Sequence, residues 1–177
     1  LLASIGRALF GRTGPSSTDD VLDEIVLAAQ SLASARTGAL IVFERDMGLR
    51  NYVETGTKLE AKVSTELLET IFTPHSPLHD GACVIRGDEI VAAGCILPLS
   101  LSEELPEGLG TRHRAAIGIS EETDALVIVV SEERGSISIA MNGELLGGLD
   151  APRLRVVLRD ILSGGRLPGM VRVDEGA

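Results

Sequence analysis

Apolar residues recur at positions 21, 22, 25, 26, 29, 32 and 33, the spacing of a helix that buries one face. Asp19 and Asp20 suit its first turn, so the pattern predicts a helix over 19–33 that ends near Arg36-Thr37-Gly38. The period then changes. Ala39-Leu40-Ile41-Val42-Phe43 is short, wholly apolar and partly β-branched, as expected of a strand covered on both faces. Ser64 followed by Leu67, Leu68, Ile71 and Phe72 predicts a capped short helix halted by Pro74. Residues 73–79 read as a loop. Ala82 to Arg86, Gly87-Asp88 and Glu89 to Leu97 predict a hairpin that Pro98 terminates. If its turn is a tight two-residue one, Cys83 faces Ala92. Leu101 to Gly110 is a polar, proline-containing connection into a helix that starts at Thr111, with Thr111 as its candidate N-cap. Ala125 to Val130 is a second buried strand, and Asn142-Gly143 joins Ser136–Met141 to Glu144–Leu146 in a further hairpin. Asp150, Pro152 and the stripe Leu154, Val157, Leu158, Ile161 give a closing helix with Gly164-Gly165 after it. Helices alternating with buried strands favour an α/β core.

Of the 177 residues, 44% are hydrophobic, enough for one domain with a full core. Three regions are expected: an arm and linker over 1–17, the folded domain over 18–165, and a tail over 166–177. The arm opens Leu1-Leu2-Ala3-Ser4-Ile5 and reads either as the end of a longer apolar or amphipathic segment or as a frayed terminus. No apolar run reaches the length of a membrane span. With 26 acidic against 16 basic side chains the net charge is −10, which argues against general binding to nucleic acid or anionic membrane surfaces. Three phenylalanines, one tyrosine and no tryptophan leave little for base stacking. Cys83 and Cys95 sit in apolar runs and read as buried hydrophobes without a disulfide between them.

Against that acidic background, Thr111-Arg112-His113-Arg114 stands out. Cations at a helix start oppose the macrodipole, at a cost of roughly 0.3–1 kcal/mol each. A phosphate held between the two guanidinium groups and the first-turn amides would reverse that sign. The alternative is an exposed basic turn paired with neighbouring carboxylates. Asp80 lies where a loop enters a strand, and Gly81 and Ala82 after it would let a ligand approach the backbone. Ser131-Glu132-Glu133 follows a buried strand. Asp80 with Glu132 or Glu133 supplies oxygen ligands suited to Mg²⁺ or Mn²⁺. A zinc or iron hydrolase site using His75 and His79 is the rival metal reading, although Pro74 and Pro77 disfavour the helix that such spacing needs.

Taken together, Asp80-Gly81-Ala82, Gly110-Thr111-Arg112-His113-Arg114-Ala115-Ala116 and Ser131-Glu132-Glu133, with Gly38 to Glu44, resemble the diadenylate cyclase (DAC) domain family over roughly residues 19 to 163. The resemblance implies a mixed central β-sheet flanked by helices. It implies one ATP per domain and a face-to-face homodimer in which each ribose 3′-hydroxyl attacks the other ATP's α-phosphate, giving cyclic di-AMP and two pyrophosphates. It makes Asp80, Arg112 and His113 catalytic, with Asp80 and Glu133, or Glu132, holding Mn²⁺, Mg²⁺ or Co²⁺. Gly81, Ala82 and Leu97 would line the nucleoside pocket, while Thr111, Arg112, His113, Arg114 and Ser131 would take the phosphates. The membrane-anchored type is the nearest likeness, which implies a cytoplasmic domain tethered to a bacterial membrane through segments before residue 1. A catalytically silent module that binds ATP or cyclic di-AMP is the alternative.

Overall fold

A computed structural model of the chain describes residues 18–166, Glu104 and Glu107 excepted. The expected arm over 1–17 and almost all of the expected tail over 166–177 lie outside the described residues. Helix α1 (Thr18–Ser34) leads into strand β1 (Ala39–Phe43), followed by the short α2 (Arg50–Val53), β2 (Thr57–Lys62), α3 (Thr65–Phe72) and the hairpin β3 (Ala82–Arg86) and β4 (Glu89–Cys95). Helix α4 (Thr111–Glu122), β5 (Leu126–Val130), β6 (Ile137–Met141), β7 (Glu144–Leu149) and α5 (Ala151–Leu162) complete the chain. The strands form one seven-stranded sheet in the order β2-β4-β3-β1-β5-β6-β7. Only β1 and β3 run parallel among the paired strands; the other neighbours are antiparallel. The mixed α/β sheet with flanking helices is therefore as expected.

Strand β1 explains the layering. All five of its residues are buried, yet they serve two cores, because successive side chains point to opposite faces. Ala39, Ile41 and Phe43 join α1, α3 and α5 on one face, while Leu40 and Val42 join α2 and α4 on the other. The same alternation separates the cysteines: Cys83 belongs to the first core and Cys95 to the second, and both are free thiols. Burial pushes the Cys83 thiol far up and the Cys95 thiol up to about 11, so neither is a ready nucleophile.

Local chemistry sets several boundaries. The Ser64 hydroxyl accepts the Leu67 amide at 3.2 Å, and the Asp150 carboxylate accepts the Arg153 amide at 2.9 Å, capping α3 and α5. Three expectations need correction. Irregularities in the β3–β4 pairing displace the simple register, so Val84, not Cys83, faces Ala92, and Ala82 faces Cys95. Bulges of this kind insert a residue without disturbing an all-apolar run, which hides them from sequence patterning. Strand β4 also ends at Cys95, before Leu97. Thr111 is the first helical residue of α4, not its cap: the N-cap is Gly110, which offers no capping side chain.

Candidate functional site

The three motif segments converge on one cavity of about 970 Å³ at a single end of the sheet. Because the sheet is mixed, that end carries the starts of β1 and β3 together with the ends of β4, β5 and β7. Asp80 and Gly81 enter from the loop before β3, Ser131 to Arg134 from the turn after β5, and Gly110 to His113 from the start of α4.

Helix α4 begins in a way that leaves donors available. Its first intrahelical bond runs from the Arg114 amide to the Gly110 carbonyl at 3.2 Å, so the amides of 111–113 lack intrahelical acceptors. Arg112 donates to the Glu132 carboxylate at 2.6 Å across the cavity rim, with side-chain exposures of 26% and 52%. Gly38 makes room for this pair: a Cβ there would overlap Glu132 Oε2 and stand 2.5 Å from Arg112 Nη1. His113 is buried. Desolvation, reinforced by the Arg134 charge, lowers its pKa against the opposing pull of Glu132 and Glu133, so the imidazole is held neutral near pH 7. Which ring nitrogen carries its proton follows from what it meets in the cavity.

Gly81 is a glycine for reasons of packing. Its φ is +115°, and a Cβ would stand 2.7 Å from the Cys95 carbonyl oxygen and 2.8 Å from the Gly94 carbonyl carbon. The requirement thus comes from β4, whatever a ligand adds. The segment that follows β4 adds an aliphatic wall of Ile96, Leu97 and Leu99.

Two of the expected residues sit elsewhere. Ala82 is fully buried in the core beneath α4, and Arg114 directs its guanidinium toward the Ser100 carbonyl, 3.5 Å away; neither lines the cavity. Thr111, Leu97, Ser131, Glu132 and Glu133 all do. Patterning overlooked Arg134, which lines the cavity, and the loop at Gly108, where a Cβ would stand 3.2 Å from the Arg134 guanidinium. The cation in Glu132-Glu133-Arg134 was the available signal. His75 and His79 lie outside the cavity, and the His79 Nδ1 is engaged at 2.6 Å with the Ser76 carbonyl.

Among the described residues, no three His, Cys, Asp or Glu side chains cluster as a self-sufficient metal site. Asp80 and Glu133 are hard oxygen donors on the same cavity, while Glu132 is engaged by Arg112. That donor set fits a divalent cation that takes the rest of its ligands from phosphate and water.

Residues 26–145 match a family model described as DAC, DisA bacterial checkpoint controller nucleotide-binding. The chain is similar to the cyclic di-AMP synthase CdaA of Bacillus subtilis, with 48% identity over 89% of this chain and 59% of that protein. It is also similar to the diadenylate cyclase of Listeria monocytogenes, with 45% identity over 92% of this chain and 61% of the relative. It therefore spans about three-fifths of the length of these relatives. A solved double mutant of DacA from Staphylococcus aureus superimposes with a TM-score of 0.78 and 44% identity, covering 80% of this chain and 95% of that one. A Bacillus cereus chain titled a hypothetical membrane spanning protein matches with a TM-score of 0.70 and 50% identity, over 72% of this chain and 62% of its own. Sequence match, shared fold and the convergence of the three motifs on one cavity agree: the chain belongs to the DAC family.

Proposed function

We propose that residues 18–165 form a diadenylate cyclase domain that converts two ATP into cyclic di-AMP and two pyrophosphates. The observation that carries this reading is the single cavity that joins Asp80-Gly81, Thr111-Arg112-His113 and Ser131-Glu132-Glu133, at the helix start of a chain whose relatives are named for this activity. The lining of the cavity combines two chemistries. The aliphatic wall at Leu97 and Leu99 suits a purine and ribose, and the open amides, Arg112, His113 and Arg134 suit a polyphosphate.

In this mechanism Arg112, Arg134 and the first-turn amides bind the triphosphate and offset the charge that develops on the departing pyrophosphate. Neutral His113 donates a hydrogen bond to a phosphate oxygen without adding charge. Asp80 stands at the reacting end and accepts the proton of the 3′-hydroxyl as the new P–O bond forms and the α–β bridge breaks. Asp80 and Glu133 would hold the divalent cation, which when bound neutralises phosphate charge and acidifies the attacking hydroxyl. Because one cavity takes one ATP, the second nucleophile must come from another copy facing the first. Ile96 and Leu99 of the cavity wall and Leu101 further along the same segment, exposed by 69%, 49% and 92%, suit such a facing homodimer. Tethering to a membrane through residues before the folded domain is a further proposal. It is supported by the likeness to the Bacillus cereus chain, called a hypothetical membrane spanning protein; among the described residues no helix is long and apolar enough to cross a membrane.

Incubation with ATP and Mn²⁺ or Mg²⁺, followed by chromatography with mass detection, tests the reading. Cyclic di-AMP and pyrophosphate are expected from the native chain and neither from Asp80→Asn. ATP bound but unconverted at high protein concentration would favour a nucleotide-binding module instead.

A further inference from the structure

Glycine in the middle of a helix is unfavourable relative to alanine, yet α4 carries Gly118 among buried neighbours. The reason is contact with the segment that leaves β4. A Cβ at Gly118 would overlap the Pro98 carbonyl oxygen and stand 2.8 Å from the Ser100 nitrogen. Glycine lets residues 98–100 cross the helix in direct backbone contact.

The crossing is fixed at Ser100, which is 3% exposed. Its amide donates to the Arg114 carbonyl at 2.9 Å, an acceptor on the helix itself. Its hydroxyl donates to Glu121 Oε1 at 2.8 Å and accepts the Ser102 amide at 3.3 Å. On the other side of this anchor, Ile96, Leu97 and Leu99 form the aliphatic wall of the cavity. The helix start and this wall line the same cavity and are thus referenced to each other through one short strap.

We infer that Ser100, Gly118 and Glu121 act as a clamp: they position the aliphatic wall relative to the cationic start of α4 and so set the fit of the cavity for the base and sugar of its nucleotide. None of the three touches the ligand; they are positioning residues. The inference rests on the nucleotide reading above. It predicts a division of labour, with the clamp governing the nucleoside end and Arg112 the phosphate end.

Calorimetric titration of the full chain with adenosine, ATP and inorganic pyrophosphate separates these ends. Gly118→Ala and Ser100→Ala are expected to weaken adenosine and ATP binding by a similar factor, about tenfold, and to leave pyrophosphate unchanged. Glu121→Gln keeps an acceptor for the Ser100 hydroxyl and should bind like the native chain, whereas Glu121→Ala should behave like Ser100→Ala. Arg112→Ala should weaken ATP and pyrophosphate but spare adenosine. Should Gly118→Ala fail to fold, the Ser100 and Glu121 variants carry the test alone. Native adenosine affinity in folded Ser100→Ala and Glu121→Ala would overturn the clamp, as would an equal loss for pyrophosphate. A native chain that binds none of the three ligands would overturn the nucleotide reading itself.

Discussion

Helices α4 and α5 are both 12 residues long and were built to opposite specifications. Helix α5 has an aspartate cap, proline in its first turn and Arg159 in its last, all favourable to an isolated helix. Its stripe Leu154, Val157, Leu158, Ile161 is buried, and Arg155 and Arg159 pair with Asp23 and Asp19 of α1. Helix α4 has no side-chain cap and no base in its last turn, and like α5 it has no acid in its first. Arg112 and Arg114 stand at its positive end and Glu121 and Glu122 at its negative end. Glu122 is occupied by the Tyr52 hydroxyl at 2.5 Å, which drives that phenol up to about 12. One helix is supported at both ends; the other leaves its first-turn amides without intrahelical acceptors at the cavity, with Arg112 held by Glu132. Departures from good helix design mark the site more sharply than any single motif.

That contrast can be broken from either side. The largest stability effect is expected in α5: Leu158→Ala, at a fully buried position, should cost about 2–5 kcal/mol in denaturant unfolding while activity per folded molecule is retained. A large activity loss at native stability would show that α5 serves the site after all. Next comes Arg112→Ala, expected to weaken ATP binding about 10- to 100-fold, the value of one or two charge-assisted hydrogen bonds. Its melting temperature should barely move, because removing a cation from the helix start offsets loss of the Glu132 pair; an unchanged dissociation constant would reject the phosphate role. Asp150→Ala removes only the α5 cap and should lower stability by about 1 kcal/mol, a melting shift of about 2–4 °C, without affecting nucleotide affinity.

The smallest effect concerns His113. Burial holds its folded pKa below the ordinary imidazole value of 6.5, so between those two values the unfolded chain binds more protons than the folded one. Stability contributed by the neutral ring is therefore complete above 6.5 and is lost as pH falls through the folded value. The native chain should lose melting temperature more steeply below pH 6.5 than His113→Gln does. Parallel pH profiles for the two would mean that the buried ring carries no such penalty.

Where periodicity, caps and turns coincide, the fold was legible: α1, β1, α3, the β3–β4 hairpin and α5 all follow from local pattern. Strand β2 and helix α2 were not. Thr57-Lys58-Leu59-Glu60-Ala61-Lys62 holds good helix formers and is largely exposed. It is extended only because β4 offers partners, with a shift in register and Glu60 at φ +51°. The site was legible as three separate motifs, because each combines charge or glycine with an element boundary. What stayed hidden needs three dimensions: the Arg112–Glu132 pair over Gly38, the Arg134 charge acting on His113, the turn of Arg114 toward Ser100, and the strap across Gly118.

The position of β1 between β3 and β5 bears on the order in which the molecule assembles. The hairpin β3–β4 and the meander β5–β6–β7 join residues close in the chain and can form early. Strand β1 must instead bring residue 41 to residue 83 and residue 39 to residue 130. Loop closure delays such pairings until both wings exist. The cavity is lined from residue 40 to residue 148, so it is completed only when this central seam closes. A chain stalled with both wings formed would hold much of its secondary structure and no place for a nucleotide.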